Sequence, residues 1–398
     1  MKIAIVCQNR RVVGGIETYL RRVLPELRAR GHELAVWYEH EGDATRAPVA
    51  EEATAPCQQL DVSALLRLQE WQPELIYAHG LSEPSLEEPL PGVAPVVFFA
   101  HGYGGVCISG TKCHKFPDHL ACERVFGPAC LALYYPRRCG GWNPLTMLRE
   151  YAKNARRLAF LKHCRFITVA SQHMAAEYRR HGLGDKVTVA SLPVTPDVPV
   201  ADSPALPSDT WQLLFLGRAQ DIKGGAFLLQ ALSLVAAAKL SRPVHTTIAG
   251  DGEALGEWRA AAAQLVASTT NVSVQFAGWV DGEAKARLLA RTHLLVLPSL
   301  WPEPFGMTGV EAGHHGVPCA AFASGGVREW LEDGVNGHLA SANPPQPSGL
   351  AKSIVECLKD TAHYQRLRQG ASERAQRFSM ARHIEALENV FREAVKRP

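Results

Sequence analysis

The feature that most constrains the fold is the alternation of short apolar runs with longer stretches of helical periodicity. The run at 2–7 is followed by helical periodicity over 16–30, which stops at Gly31, and by a second apolar run at 33–38. This order is typical of a parallel sheet covered by helices. Further strands are predicted at 75–79, 96–101, 166–170, 213–216, 246–249, 272–276, 294–297 and 317–322, and further helices at 174–180, 226–239, 283–292 and about 381–396. The sequence therefore predicts an α/β fold.

The alternation is interrupted once by a proline-rich stretch. A chain of 398 residues is long for one hydrophobic core, so two domains are expected. Five prolines fall between Pro193 and Pro207, a density typical of an interdomain linker. We predict an N-terminal domain over 1–195, a linker over 196–210, a C-terminal domain over 211–380 and a last helical segment over 381–398.

Charge and hydropathy exclude several classes of protein. A net charge of +3 is too small for a nucleic-acid-binding protein. The apolar start is shorter than the core of a signal peptide, and no apolar run approaches the roughly 20 residues of a membrane span. We expect a cytoplasmic protein whose ten cysteines are mostly reduced.

Two carboxylates, Glu303 and Glu311, stand eight positions apart with Gly306 between them. Prolines on both sides of Glu303 favour extended backbone, Gly306 allows a turn, and Thr308 is predicted to cap a new helix. Because a predicted strand ends just before them, both acids are expected where open parallel sheets bind ligands. Such a pair can bind the two ends of an elongated polyol. Thr308 and Glu311 also fit a capping box, which needs no ligand.

Two cations occupy a loop between a predicted strand and a predicted helix. Arg218 and Lys223 lie between the strand at 213–216 and Gly224-Gly225. Cations, close backbone approach and a helix N-terminus together suit a diphosphate. The alternative is a pair of solvated surface cations, which is the usual place for arginine and lysine.

These motifs together resemble the signature of glycosyltransferase family 4. The matching residues are Pro298-Ser299, Glu303-Pro-Phe-Gly306, Glu311-Ala312, Gly316-Val-Pro318 and Gly325-Gly326. The resemblance implies the GT-B architecture, two Rossmann-like doubly wound α/β domains facing across a cleft, with the last helix, 381–398, crossing back to the N-terminal domain. It also implies sugar transfer from a nucleotide-diphosphate sugar to a hydroxyl acceptor, with retention and without a metal cofactor. By the same resemblance, Glu303 binds the donor sugar, Glu311 the ribose, and Arg218 and Lys223 the leaving diphosphate.

The resemblance assigns further residues to the donor site. His101 would face the donor sugar as a fourth catalytic residue, although a lone histidine at a strand end is more often structural; His79 is a weaker candidate of the same kind. Trp279 and Val280 would hold the base through their backbone, although a tryptophan is more commonly a core residue. The remaining implied donor-binding residues are Gly14, Gly15, Gly250, Asp251, Gly252, Pro304, Phe305, Gly306, Met307 and Thr308.

A segment at about 103–145 interrupts the α/β alternation and carries Cys107, Cys113, Cys122, Cys130 and Cys139. One hypothesis is a structural zinc on Cys107, Cys122, Cys130 and Cys139, although the usual Cys-x2-Cys spacing is absent. Another is buried free thiols, and disulfides are unexpected in the cytoplasm. The family resemblance places the acceptor near this insert, and a glycan, a lipid-linked precursor or a small molecule would fit that role.

Five basic residues between Arg149 and Lys162 alternate with apolar residues. They predict either a helix that rests on an anionic membrane or an ordinary exposed helix face. For the whole chain, an epimerase, a phosphorylase or a non-catalytic sugar-nucleotide-binding subunit on the same architecture stays open as an alternative, because fold does not determine function.

Overall fold

The computed structural model describes residues 1–51, 55–61, 63–194, 209–238, 240–280 and 282–396. The chain divides into two compact units. The N-terminal unit comprises Met1–Lys112, Glu123–Ser191 and the segment from Met380 onward, and the C-terminal unit comprises Cys113–Cys122 and Leu192–Ser379. The predicted linker at 196–210 lies outside the described residues, except for its last two positions.

Strands and helices alternate along both units, as the apolar pattern predicts. The strands are β1 Lys2–Asn9, β2 Glu33–His40, β3 Cys57–Gln59, β4 Leu75–Ala78, β5 Val96–Ala100, β6 Cys113–His114, β7 Leu120–Ala121, β8 Phe166–Val169, β9 Val187–Val189, β10 Trp211–Leu216, β11 Val244–Ala249, β12 Val272–Gly278, β13 Leu294–Leu297, β14 Cys319–Phe322 and β15 Gly337–Ala340. The helices are α1 Gly15–Ala29, α2 Ala64–Glu70, α3 Pro84–Glu87, α4 Ala129–Leu133, α5 Pro144–His163, α6 Gln172–Tyr178, α7 Gly225–Ala237, α8 Leu255–Ser268, α9 Gly282–Ala290, α10 Met307–His314, α11 Pro347–Leu358, α12 Thr361–Ala375 and α13 Met380–Lys396.

The N-terminal unit is built on a parallel sheet with the strand order β3-β2-β1-β4-β5-β8-β9. Ile3, Ile5 and Val6 of β1 are fully buried. A continuous apolar strand of this kind is expected where helices cover both faces of a parallel sheet. The C-terminal helix α13 also belongs to this unit and packs against α1, β4 and β5.

The C-terminal unit contains a second parallel sheet, with the strand order β12-β11-β10-β13-β14-β15. The first strand of this sheet along the chain, β10, lies in its middle, and the chain winds outward from it in both directions. This is the doubly wound order of a Rossmann-like domain. Both units therefore have the α/β architecture that the sequence predicts.

Several elements of the two units were not predicted from the sequence. The sequence predicted β13 with its observed bounds, but it did not predict β3, β9, β15, α2, α8, α11 or α12. It also placed residues 113–122 in the N-terminal domain, whereas their short antiparallel hairpin, β6–β7, groups with the C-terminal unit. Strands of two residues have no detectable periodicity, so their partner cannot be identified from pattern alone.

None of the helices in the described ranges combines the length and the apolar composition that crossing a membrane requires.

Candidate functional site

From β10 the chain first adds strands on one side of the C-terminal sheet and then, from β13, on the other side. The reversal point of the sheet, its topological switch point, therefore lies between β10 and β13. The loop after β10 carries Lys223, and the loop after β13 carries Glu303. In doubly wound sheets, ligands bind outside the carboxyl ends of the strands at this reversal point. The fold thus brings together two predicted motifs that are separated by 80 positions in the chain.

Glu303 is a buried carboxylate paired with a lysine. It is 6% exposed, and its Oε1 lies 2.7 Å from Nζ of Lys223. The hydroxyl of Ser299 donates to the same oxygen at 2.5 Å. Burial acts to raise the pKa of Glu303, but the charge and hydrogen bond of Lys223, with hydrogen bonds from Ser299 and Trp301, hold that pKa below its usual value. Glu303 is therefore ionised at neutral pH. No role was predicted for Ser299, although its place between β13 and Glu303 was a signal.

The main chain of Glu303 is held as firmly as its side chain. It forms a parallel bridge with Gly325, and the N–H of Gly326 donates to Glu303 O at 2.6 Å. Gly325 has φ 61°, and a Cβ there would lie 2.4 Å from Glu303 O. Only glycine fits this position, so the Gly325-Gly326 pair supports the first acid of the motif.

The second part of the motif begins helix α10 earlier than predicted. The helix starts directly after Gly306, whose φ is 87°, and Thr308 is its second residue. The prediction that Thr308 caps the helix is wrong. The ring of Trp330 packs against Gly309, where a Cβ would lie 1.9 Å from it, and its Nε1 donates to Phe305 O at 2.7 Å. This packing sets where the helix begins.

Glu311 pairs with a lysine for which no role was predicted. Its Oε1 accepts a hydrogen bond from Nζ of Lys285, on α9, at 2.9 Å. The capping-box interpretation of Glu311 is therefore wrong, because the partner of its carboxylate lies on another helix. Each acid of the motif is held by its own lysine.

The loop after β10, residues 217–225, combines two cations with a close backbone approach. Arg218 is exposed, and it makes no ion pair within the described residues. Lys223 ends a short 3-10 turn, and Gly224 follows with φ 74°. A Cβ at Gly224 would lie 1.9 Å from Pro298 O, and one at Gly225 would lie 2.5 Å from the Trp258 ring. Both glycines are required for the loop to pack against the end of β13 and against α8.

The loop after β11 runs beside the loop after β10. The N–H of Ala219 donates to Asp251 O at 2.8 Å. Gly250 and Gly252 have φ values of 147° and 150°, and a Cβ at Gly252 would lie 2.5 Å from Ala219 O. Asp251 is exposed and accepts a hydrogen bond from the N–H of Gly252.

The residues after β12 lie at the surface. Trp279 is 67% exposed, which rules out the alternative that it is a core residue. Val280, the next residue, is partly exposed. The N–H of Gly250 donates to Gly278 O at 2.7 Å, so this surface adjoins the loop after β11.

In the N-terminal unit, His101 belongs to a buried cluster of rings at the ends of β4 and β5. Its Nε2 lies 2.9 Å from Nδ1 of His79, and its ring packs against Tyr19 and Phe99. Burial, with the nearby His383, lowers the pKa of His101 to about 3. Burial, followed by the charges of His101 and His383, also lowers the pKa of His79. Both imidazoles are neutral at physiological pH.

Gly14 and Gly15 begin α1 after β1. The N–H of Gly14 donates to Glu17 Oε2 at 2.9 Å. A Cβ built on Gly15 meets nothing within 4 Å, and the residue has ordinary negative φ. The fold itself therefore does not require glycine at position 15.

Two family sequence models match consecutive parts of the chain. The model described as "Glycosyltransferase Family 4" matches residues 13–198, and the model described as "Glycosyl transferases group 1" matches residues 211–360. The second match contains both acids, Arg218 and Lys223. The chain belongs to glycosyltransferase family 4.

Curated relatives of this family 4 chain are similar over part of their length. A D-inositol 3-phosphate glycosyltransferase 1 of Catenulispora acidiphila is 31% identical over 195 residues, which cover 48% of this chain and 46% of the relative. A phosphatidyl-myo-inositol mannosyltransferase of Mycobacterium tuberculosis is 33% identical over 151 residues, covering 37% and 38%. The chain thus spans about half the length, or less, of these curated relatives.

Solved structures resemble the family 4 chain over almost its full length. The Anabaena protein HepE in complex with UDP has a TM-score of 0.70 at 20% identity, covering 99% of this chain and 100% of HepE. A glycosyltransferase from Rickettsia africae has a TM-score of 0.72 at 15% identity, covering 100% and 99%. These similarities show the GT-B fold that the sequence predicts.

The cysteines of the predicted insert do not converge. In the parts of the chain that the structure describes, no three histidine, cysteine or acidic side chains group so that they could hold a metal ion. Cys122 groups with the C-terminal unit, whereas Cys107, Cys130 and Cys139 belong to the N-terminal unit. All of them are free thiols. The zinc site on these four cysteines stays a prediction for metal analysis.

The basic helix of the family 4 chain is α5, and two of its arginines form ion pairs with glutamates of the same unit. Arg157 pairs with the buried Glu87 at 2.9 Å, and Arg156 forms a bidentate pair with Glu88 at 2.7 Å. These two arginines therefore already have carboxylate partners within the N-terminal unit. Arg149, nearer the start of the helix, has a side chain that is 81% exposed.

Proposed function

We propose that this chain transfers a sugar from a nucleotide-diphosphate sugar to a hydroxyl acceptor, with retention of the anomeric configuration. The observation that carries the proposal is the buried Lys223–Glu303 pair at the reversal point of the C-terminal sheet. Arg218 lies in the same loop as Lys223. A cationic loop beside an ionised, buried carboxylate suits a ligand with phosphate at one end and hydroxyls at the other.

Each residue has a separate role in the proposed reaction. Arg218 and Lys223 bind the diphosphate and stabilise the charge that develops on it as the bond to the sugar breaks, which is usually the largest catalytic effect. Glu303 accepts hydrogen bonds from sugar hydroxyls and offsets the positive charge that grows at the anomeric carbon. Glu311 accepts hydrogen bonds from the ribose hydroxyls. The departing diphosphate takes the proton of the acceptor hydroxyl.

The other implied residues complete the donor site. Backbone groups near Trp279 and Val280 hold the base, and the loop of Gly250, Asp251 and Gly252 lies beside the nucleotide. His101 contacts the donor sugar as a neutral hydrogen-bonding group. Gly15 is glycine because a side chain there would obstruct the ligand, since the fold itself leaves room for one. The first turn of α10, with Phe305, Gly306, Met307 and Thr308, and Pro304 before it, surrounds the sugar and the phosphate.

Binding and turnover test this proposal separately. UDP is the first nucleotide to examine, because HepE, which is similar in fold, was solved in complex with UDP. UDP-, GDP- and ADP-sugars should be compared by thermal shift, because a ligand that binds the native state raises its melting temperature. Candidate acceptors, inositol phosphates among them, should then be tested for product formation and for its anomeric configuration.

The variants Glu303→Gln and Glu283→Gln make a matched pair for the turnover assay. Glu283 is an exposed acid of α9 that pairs with its helical neighbour Arg287. Loss of transfer in the first variant but not in the second supports the role of Glu303. Binding of nucleotide sugars without transfer would instead favour a binding subunit. Product formed only with free phosphate would favour a phosphorylase, and conversion of the donor sugar without an acceptor would favour an epimerase.

We also propose that the chain contacts an anionic membrane on its cytoplasmic side. Trp142, Leu145 and Leu148, at the start of α5, are 72%, 75% and 51% exposed. Arg149 follows them directly, and apolar side chains beside basic ones are typical of surfaces that bind at the lipid interface. Sedimentation with phosphatidylglycerol vesicles should fall for Leu145→Ser but not for Leu66→Ser, which alters a similarly solvated leucine of α2, 65% exposed. Equal sedimentation of both variants would reject this surface.

A further inference from the structure

The hairpin formed by residues 113–122 lies in the C-terminal unit, although the segments before and after it group with the N-terminal unit. Its strands, β6 and β7, pair Cys113 with Ala121 and His114 with Leu120. Two of its contacts within the C-terminal unit involve the loops that carry Lys223 and Glu303.

The tip of the hairpin touches the turn that leads to Lys223. His119 Nε2 lies 3.0 Å from Oδ2 of Asp221, the first residue of the 3-10 turn, across 102 positions of sequence. The imidazole also meets the ring of Phe227 edge to face, with centroids 6.3 Å apart. The hydrogen bond from His119 is the leading reason that the pKa of Asp221 lies below its usual value. Asp221 is therefore an ionised acceptor, held at the start of the turn.

The base of the hairpin touches the loop that leads to Glu303. Cys113 is buried, and its Sγ lies 3.7 Å from Leu300 O. The N–H of Leu300 donates to Ile222 O at 2.9 Å. Leu300 thus connects the turn that ends at Lys223 to the segment that contains Glu303, and the hairpin packs on both.

We propose that the 113–122 hairpin positions the donor-phosphate site: His119 fixes the Asp221–Lys223 turn against the Leu300–Glu303 segment and so keeps Lys223 where the diphosphate binds. This inference rests on the proposed function. His119 itself is a positioning residue, because it acts through Asp221 on the turn that ends at Lys223. A ligand that contacts this loop only through phosphate depends on the hairpin, whereas a nucleoside does not.

Titration calorimetry with UDP and with uridine tests the inference. His119→Ala should weaken UDP binding about three- to tenfold, the range expected for one lost hydrogen bond to a partly exposed charged group, and leave uridine binding unchanged. His119→Gln, which keeps a donor near the position of Nε2, should recover most of the UDP affinity. Asp118→Ala, an exposed neighbour in the same hairpin, is the matched control and should bind UDP as the wild type does. Wild-type UDP affinity in His119→Ala, or equal losses for UDP and uridine, would overturn the proposal.

A second measurement needs no ligand and separates this inference from the proposed function. Hydrogen exchange of the amides at 221–225 and at positions 300, 301 and 303 should be faster in His119→Ala than in the wild type, while exchange within β11 is unchanged. Asp221→Ala should produce the same pattern, and the double variant should add nothing further, because both changes remove one contact. Unchanged exchange in both single variants, or strictly additive effects, would reject the hairpin's role even if the chain binds UDP. Failure of the wild type to bind any nucleotide would reject the proposed function, and the exchange pattern would still decide whether the hairpin holds the turn.

Discussion

Replacing Lys223 by alanine should reverse the way in which the stability of the C-terminal unit depends on pH. In the wild type, Glu303 is 6% exposed, and Lys223 is the main cause that opposes the effect of burial on its pKa. Without the lysine, burial dominates, and the pKa of Glu303 should rise above its usual value.

The sign of the effect follows from the two states of the chain. In the wild type, the lowered pKa of Glu303 contributes stability that is present above the pKa of the unfolded chain and is lost as the pH falls through the folded pKa. In Lys223→Ala the folded pKa lies above the unfolded one. Ionisation then favours the unfolded chain, so the free energy of unfolding should decrease as the pH rises from about 5 to 8.

The magnitude follows from the burial of the pair. Removing one partner of a fully buried ion pair costs about 3–5 kcal/mol. The side chain of Lys223 is 17% exposed, and Ser299 still donates to the carboxylate, so about 2–3 kcal/mol at neutral pH is expected here. The loss should shrink toward pH 5, where the carboxyl group can be protonated in the folded state.

Urea unfolding of four proteins at several pH values measures this effect. The set consists of the wild type, Lys223→Ala, Glu303→Gln and the double variant, in which neither charge of the pair remains. The double variant should be more stable than Lys223→Ala at pH 8, and it should lack the pH-dependent loss. If Lys223→Ala loses the same stability at every pH, or none, the reasoning about the buried carboxylate is refuted.

Three further predictions concern single positions. Glu303→Gln should keep nucleotide binding and lower turnover on the order of 10²-fold, because it removes a contact that strengthens in the transition state; a radiolabelled transfer assay measures this. Arg218→Ala should weaken UDP about tenfold and leave uridine unaffected in calorimetry, because its exposed side chain is proposed to touch phosphate alone. Gly224→Ala should lower the melting temperature strongly, since its Cβ would lie 1.9 Å from Pro298 O. Gly15→Ala should have the melting temperature of the wild type, because a Cβ there meets nothing within 4 Å. Equal melting temperatures of the two glycine variants would contradict this reason.

The sequence predicted the parts of the fold whose signal is local. The strand β13 is a continuous apolar run that ends at a proline, so the sequence predicted its bounds correctly. For the same reason, the acid after it could be placed at the end of a strand. Lys223 and Glu303 were each predicted as site residues from separate motifs. That they form an ion pair depends on the order of strands in the sheet, which no single motif contains.

The parts that the sequence missed depend on distant contacts. The start of α10 is set by Trp330, which lies more than one element later in the chain and packs on Gly309. In the sequence, Lys285 has no feature that distinguishes it from other charged residues of an exposed helix. Its pairing with Glu311 depends on how α9 lies against α10. The 113–122 hairpin has too few strand residues to show a period, and its contact with Asp221 spans 102 positions.

Both the main chain and the carboxylate of Glu303 are fixed by neighbouring residues, and this has a consequence for the entropy of binding. Gly325 and Gly326 fix its main chain, and Ser299 and Lys223 fix its carboxylate. Ordering a glutamate side chain costs up to about 2 kcal/mol of rotamer freedom. Here that freedom is lost when the polypeptide folds. Under the proposed function, a donor sugar would bind a carboxylate that is already in one rotamer, and its affinity would not include the cost of ordering that side chain.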